Sequence, residues 1–402
     1  MTEAAIFPAT RAAALERLAA FVPHAGADYA RGRNSDPGPG HPSAVSELSP
    51  YVRYRMITEQ EIVRSVLARH ALSAADKYVQ EVLWRTYWKG WLEMRPQVWQ
   101  RFLDERDHQR DHFTDTGALA VAEGGATGIE GFDDWARELV ATGYLHNHAR
   151  MWFASIWIFT LRLPWALGAD FFLRHLLDAD AASNTLSWRW VAGLQTLGKT
   201  YLARADNIAR YTNGRFEPQG LADKAVALTE PPVGGAKPLP TPLACDPGQP
   251  ALLLVTHEDM HPESLRASIG PIAAALVVAD RDLLWSDASH GFVQAAAQDA
   301  ATRVASDFGC ATSTTAWLNA EALITAAQQA GARQIVTPYA PVGPVADALG
   351  RLTPLLAGEG ITLAQVRRAW DDRFWPHASK GFFPFREKIP AALAGIGALP
   401  LS

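Results

Sequence analysis

The sequence predicts a multidomain α and α/β chain, an all-helical region followed by an α/β domain with a mostly parallel sheet. Three observations carry that prediction. Residues 1–217 read as one helical pattern after another. Residues 218–249 are rich in Pro and Gly, lack periodicity and read as a surface linker. Residues 250–402 alternate short apolar runs with helical stretches, the pattern of strands joined by crossover helices.

In the helical region, Thr58 with Glu61 and Ser73 with Asp76 have capping-box spacing, each ahead of an apolar-periodic run. Ser49 followed by Pro50 matches an N-cap and a first helical residue. Ten of the fourteen tryptophans fall between Trp84 and Trp190, which indicates an aromatic core, a site that stacks planar groups, or both. Past the linker, residues 251–256, 274–279 and 333–338 suit buried strands, and residues 289–306 and 319–330 read as helices between them. No GxGxxG follows a strand, so the dinucleotide fingerprint is absent.

Composition excludes more than it identifies. No apolar run is long enough for a membrane span, and the N-terminal pattern is not a signal peptide. Cys245 and Cys310 are too few and too far apart for a zinc site or an iron–sulfur cluster, and the histidines show no metal spacing. No metal is expected, and a cytoplasmic chain without disulfides is the expectation. The net charge of −5 splits into −1 for residues 1–225 (25 basic, 26 acidic) and −4 for the rest (12 basic, 16 acidic). Any nucleic-acid contact therefore needs a local basic patch.

Three clusters and one helix start could carry chemistry. Tyr78, Glu81 and Arg85 share a helical face bordered by Trp84. On a solvated surface Glu81 and Arg85 would form an i,i+4 pair worth ~0.3–0.5 kcal/mol. Asn147, Arg150 and Met151 fall at i, i+3 and i+4. Asp178, Asp180 and Asn184 precede Trp188 and Trp190, and suit either a polar cap or a binding site. Ser46 and Ser49 flank a helix start, where free N–H groups and hydroxyls suit phosphate. Together these supply hydroxyls and arginines for a diphosphate, carboxylates for N–H and ribose groups, and an amide for a flavin edge.

In order and spacing these residues resemble the FAD-binding domain of DNA photolyases and cryptochromes, from about Tyr29 to Trp190. The motifs are S-x-L-S-P-Y from Ser46, W-R at Trp84, TGY-x-HN-x-x-R-M ending at Met151, and D-x-D-x-x-x-N-x-x-x-W-x-W ending at Trp190. The resemblance implies that Tyr29, Ser46, Leu48, Ser49, Arg85, Arg150, Asp178, Asp180 and Asn184 contact FAD, Asn184 near flavin N5. It implies that Glu81, Asn147 and Met151 touch a flipped-out cyclobutane pyrimidine dimer, flanked by Trp84 and Trp190. Members that repair (6-4) photoproducts resemble one another in having histidines in the region of Asn147 and Met151, so the cyclobutane-dimer branch is the closer likeness. Trp188 and Trp165 match two members of the family's electron-transfer chain; the spacing assigns no third. The implied partner is UV-damaged DNA, or a signalling protein if the chain resembles the cryptochrome photoreceptors instead.

Three features depart from the family pattern. The α/β domain follows the helical one, with residues 251–265 resembling that domain's first strand and turn. Residues 379–385 resemble the segment that ordinarily leads into the helical domain, so a circular permutation is expected. The stretch after Trp190 is altered and carries Lys199, Arg204, Arg210 and Arg215. Residues 337–343 lack the polar and acidic residues expected around an antenna pigment, which speaks against one.

Overall fold

The computed structural model describes residues 6–395. Helices fill the first half of the chain, and between Tyr211 and Ala251 there is neither helix nor strand. The central helix is α1 (Leu72–Glu93), followed by α2 (Gln97–His112), α3 (Asn147–Ser155), α4 (Trp165–His175) and α5 (Ala181–Val191). Thr58 and Glu61 form the expected capping box on the helix Glu59–Leu67. The second expected box does not form. Helix α1 begins one residue before Ser73, at Leu72 with Ala71 as its cap, and Asp76 accepts from Gln80 instead. An apolar residue at position 72 packs on the core and draws the helix back past the serine.

The second half holds a five-stranded, all-parallel sheet: β1 (Ala251–Val255), β2 (Ile272–Val278), β3 (Ala311–Thr315), β4 (Gln334–Pro338) and β5 (Thr362–Val366), in the spatial order β3-β2-β1-β4-β5. Leu253 pairs with Ala275 on one side and Val336 on the other, so β1 is central. Its side chains alternate between two cores. Ala251, Leu253 and Val255 join the core shared with the helical half, whereas Leu252 and Leu254 join a separate core on the opposite face. Helices Asp287–Phe308 and Ala320–Gln329 overlap the two expected stretches.

The halves meet at the end of β1 and along α1. A methyl group at Gly90 would lie 2.8 Å from the Trp375 Cα, so α1 rests against Trp375–Ser379 only because position 90 lacks a side chain. Buried ion pairs cross the junction. Arg53 grips Glu258 through two hydrogen bonds of 2.9–3.0 Å, and Arg55 donates to both Asp371 oxygens at 2.8 Å. On the α/β side the same turn is braced by Arg368 on Asp259. Glu93 accepts from the Tyr339 hydroxyl at 2.7 Å and from the Val342 N–H. The stretch 337–343 is thus engaged with the helical half. No helix among the described residues is long and apolar enough to cross a membrane.

Candidate flavin site

Helix α1 presents its polar side chains where α3, α5 and the Ser46–Arg53 segment converge. At the outer end, Tyr29 packs edge-on against Tyr78, ring centroids 5.0 Å apart, and Ser46 lies beside the Tyr78 hydroxyl. Burial, with Glu81 adding, pushes the Tyr29 hydroxyl far above its ordinary range, so it stays a neutral donor. Glu81 and Arg85 do not form the surface pair that their spacing allows. Glu81 accepts from the Asn147 amide at 3.2 Å and lies 3.7 Å from Arg33. Burial raises its carboxyl pKa, with Arg33 opposing. Arg85 turns inward to Asp180 at 2.9 Å.

Asp180 is both a helix cap and a charge hub. One oxygen accepts from the Ala182 and Ser183 N–H groups at the start of α5, and the other meets Arg85 and, at 3.6 Å, Lys89. Burial alone raises a carboxyl's pKa, yet Lys89, Arg85 and Arg53 hold Asp180 well below the carboxylate range. Asp178 forms a two-bond pair with Arg150 at 2.9–3.0 Å, with Ser49 beside it. Those partners overcome burial and keep Asp178 low. Leu48 is buried directly before this helix start. Asn184 is buried one turn into α5 and donates to the Ala169 carbonyl at 2.8 Å.

The remaining expected residues are more dispersed. Asn147 is exposed, and Met151 is half-buried one turn further on. Trp84 is stacked on Phe382 with centroids 3.5 Å apart and planes 10° apart, and Trp190 stacks on Tyr201. Trp188 is buried among Phe172, Phe153 and Trp157. A methyl at Gly168 would come 2.4 Å from its ring, so α4 and α5 close only over glycine. Trp165 packs on Phe102 at 5.7 Å. Of the basic residues after Trp190, Arg215 bonds the Asp36 carbonyl and carboxylate, Arg204 pairs with Asp206, and Arg210 lies over Tyr211.

Sequence reasoning missed Arg53, Lys89 and Glu258. Lys89 lies four residues after Arg85 on the same face, and Glu258 sits in the turn after the central strand, the usual ligand edge of a parallel sheet. These residues bear on cofactor fit. Arg53, Arg85 and Lys89 surround two carboxylates, Asp180 and Glu258, leaving one excess positive charge. Among the described residues the Lys89 ammonium, 3% exposed, makes no hydrogen bond, Asp180 and Glu258 standing 3.6 and 4.0 Å away, and the buried Ser183 hydroxyl makes none either. Buried donors short of hydrogen bonds, with a positive excess, fit an anionic ligand, and FAD meets that requirement. Among the described residues no group of three or more His, Cys, Asp or Glu could hold a metal ion.

Convergent arginines, capped carboxylates and buried aromatics on an all-helical frame are the groups that a dinucleotide flavin requires. The family model for the FAD binding domain of DNA photolyase matches residues 78–221. Deoxyribodipyrimidine photo-lyase of Streptomyces griseus is 31% identical over 209 residues, 49% of this chain and 44% of the relative. The Synechococcus enzyme of that name is 33% identical over 195 residues, 45% and 38%. That of Thermus thermophilus is 32% identical over 208 residues, 52% and 48%. The chain thus spans less than half the length of these relatives. Among solved structures, a class III photolyase from Agrobacterium tumefaciens shares 27% identity over 50% of this chain and 44% of that one, with a TM-score of 0.42. A Synechocystis cryptochrome shares 23% over 51% and 43%, with a TM-score of 0.44. Through residues 78–221 the chain carries a domain of the FAD-binding family of the DNA photolyases.

Proposed function

We propose that this protein binds FAD in the helical half and uses it for light-dependent repair of cyclobutane pyrimidine dimers in DNA. The observation that carries the reading is Glu81 held by Asn147 at the outer end of the Arg85–Asp180 cluster. Arg85, Arg150, Lys89, Ser46 and Ser49 are the groups for the diphosphate and flavin oxygens. Asp178, Asp180 and Asn184 are those for ribose and ring N–H groups, and Tyr29 and Leu48 close the site. Bound and reduced, FAD would supply the photoexcited electron that splits the cyclobutane ring. The protein's part is to bind and orient. Glu81, its proton affinity raised by burial, holds a proton or hydrogen bond at a base carbonyl, and the Asn147 amide fixes the Glu81 carboxyl. Met151, Trp84 and Trp190 offer apolar contact to a flipped-out lesion, which offsets unstacking. Trp188 and Trp165 are the proposed electron relays. The order of the two halves is read as a circular permutation of the family arrangement, with units at 1–217 and 250–402 around the linker.

Single-turnover repair of a defined thymine dimer by the FAD-loaded, reduced protein under blue light tests this. Glu81→Gln is expected to lower repair by about 10–100-fold, the range for a lost hydrogen bond to a charged group, with FAD still bound. Absence of repair by fully reduced wild-type protein on both single- and double-stranded substrate overturns the proposal.

A second reading, a cryptochrome-like photoreceptor acting on a protein partner, draws on one observation. Both tryptophans assigned to flank a lesion already have one stacking neighbour, Phe382 on Trp84 and Tyr201 on Trp190. Under that reading, affinity for dimer-containing and undamaged DNA is equal. A clear preference for the lesion rules it out.

A further inference from the structure

One large cavity lies away from the flavin-site residues, and of those named above only Trp165 lines it. It has a volume of about 1090 Å³, comparable to a ligand cleft. One wall is α2, a second is the turn leading into α4, and the third is the linker at residues 224–231. Its aromatic lining includes Phe102, Phe159 and Trp165.

The walls are built rather than left over. The linker is pinned beside the cavity by Arg189, whose guanidinium is buried and bonded twice to Glu230, and by Arg101, which donates to the Pro231 and Pro232 carbonyls. Residues Ile156–Thr160 form a π-helical turn, a widening that is frequent at functional sites. Arg162 follows in the left-handed region, φ 57°, which disfavours a residue with a side chain. Four basic residues line the cavity (Arg101, Arg162, Arg189, Lys224) against three acidic ones (Asp104, Glu105, Glu230). Each acid is engaged: Asp104 by Gln100, Glu105 by Gln109, Glu230 by Arg189. Arg162 and Lys224, both exposed, have no hydrogen bond or ion pair among the described residues. Val226 stands at the rim, 78% exposed, where an apolar residue gains nothing from water.

We propose that this groove is a second small-molecule site, for a planar aromatic ring carrying a phosphate or carboxylate. The ring packs on the aromatic lining, and the anion meets Arg162 and Lys224. The claim stands apart from the flavin reading, because the groove's cations are not those of the Asp180 cluster.

The probe is flavin mononucleotide against riboflavin, the same ring without the phosphate, titrated by equilibrium dialysis into protein first saturated with FAD. The mononucleotide is expected to bind at least ten-fold more tightly. Arg162→Gly, which suits the positive φ, combined with Lys224→Ser should bring it to the riboflavin level, with FAD content unchanged. Equal binding of the two probes, no binding of either, or mononucleotide binding that survives both substitutions overturns the proposal. If the protein takes up no FAD, the flavin reading fails alone, because the dependence on Arg162 and Lys224 still reports on the groove.

Discussion

Two arginine–carboxylate pairs have the same bidentate geometry and opposite settings. Arg150–Asp178 lies within the helical half, with its guanidinium 23% exposed. Arg53–Glu258 joins the two halves, with side chains 4% and 6% exposed. The first leaves a charged edge open towards a ligand. The second is sealed from solvent and ties the halves together. Desolvation makes the sealed pair a poor source of net stability, yet removing one partner strands a buried charge.

Breaking the sealed pair is therefore the largest expected effect. Glu258→Ala is expected to lower unfolding free energy by about 3–5 kcal/mol, read from urea midpoints. A loss under ~1 kcal/mol would show that water or another group reaches Arg53, and the contrast would fall. Asp178→Asn should cost less, about 1–3 kcal/mol, because Arg150 keeps water on one side. Its clearer signature is a drop in retained FAD, measured by absorbance per protein. Unchanged flavin content would mean that Arg150 needs no partner to bind.

A pH experiment sharpens the same junction. Burial pushes His257, beside Glu258, down from 6.5 to about 4. Between those values the unfolded chain binds a proton that the folded one refuses. Stability therefore falls as pH drops from about 6.5 to about 4. His257→Asn should flatten that part of the stability–pH curve, and an unchanged slope would assign it to other groups. The smallest effect belongs to a site far from the contrast. Thr58→Ala removes a capping box and should cost about 1 kcal/mol, leaving FAD content and the His257 slope as they were.

Legibility in the sequence followed burial. Strands β1 and β2 were readable because each is a run of apolar residues, and β4 because the β-branched pair Ile335–Val336 lies between turn-like flanks. Strands β3 and β5 lie at the sheet's edges, and ATSTT and TLAQV carry too little apolar signal to separate from loop. Helix faces left Arg85, Arg150 and the Asp178–Asp180 pair in three separate clusters, and the family resemblance grouped them. Which partner each took was not readable: Glu81 and Arg85 are adjacent in pattern, yet one faces Asn147 and the other Asp180. Lys89 looked like one more polar position on an aromatic helix. Its significance comes from Glu258, 169 residues away, and no local pattern encodes such a meeting.

The interdomain ion pairs also have a consequence in time. Arg53 and Glu258 are 205 residues apart, and Arg55 and Asp371 are 316 apart. During synthesis the helical half emerges first, with Arg53, Arg55 and Lys89 lacking their distant carboxylates until Glu258, Asp259 and Asp371 arrive. Contacts at such separation form late and slowly. Until they form, the nascent helical half carries a cationic face, and an anion that occupies it early would act as a folding aid for the whole chain.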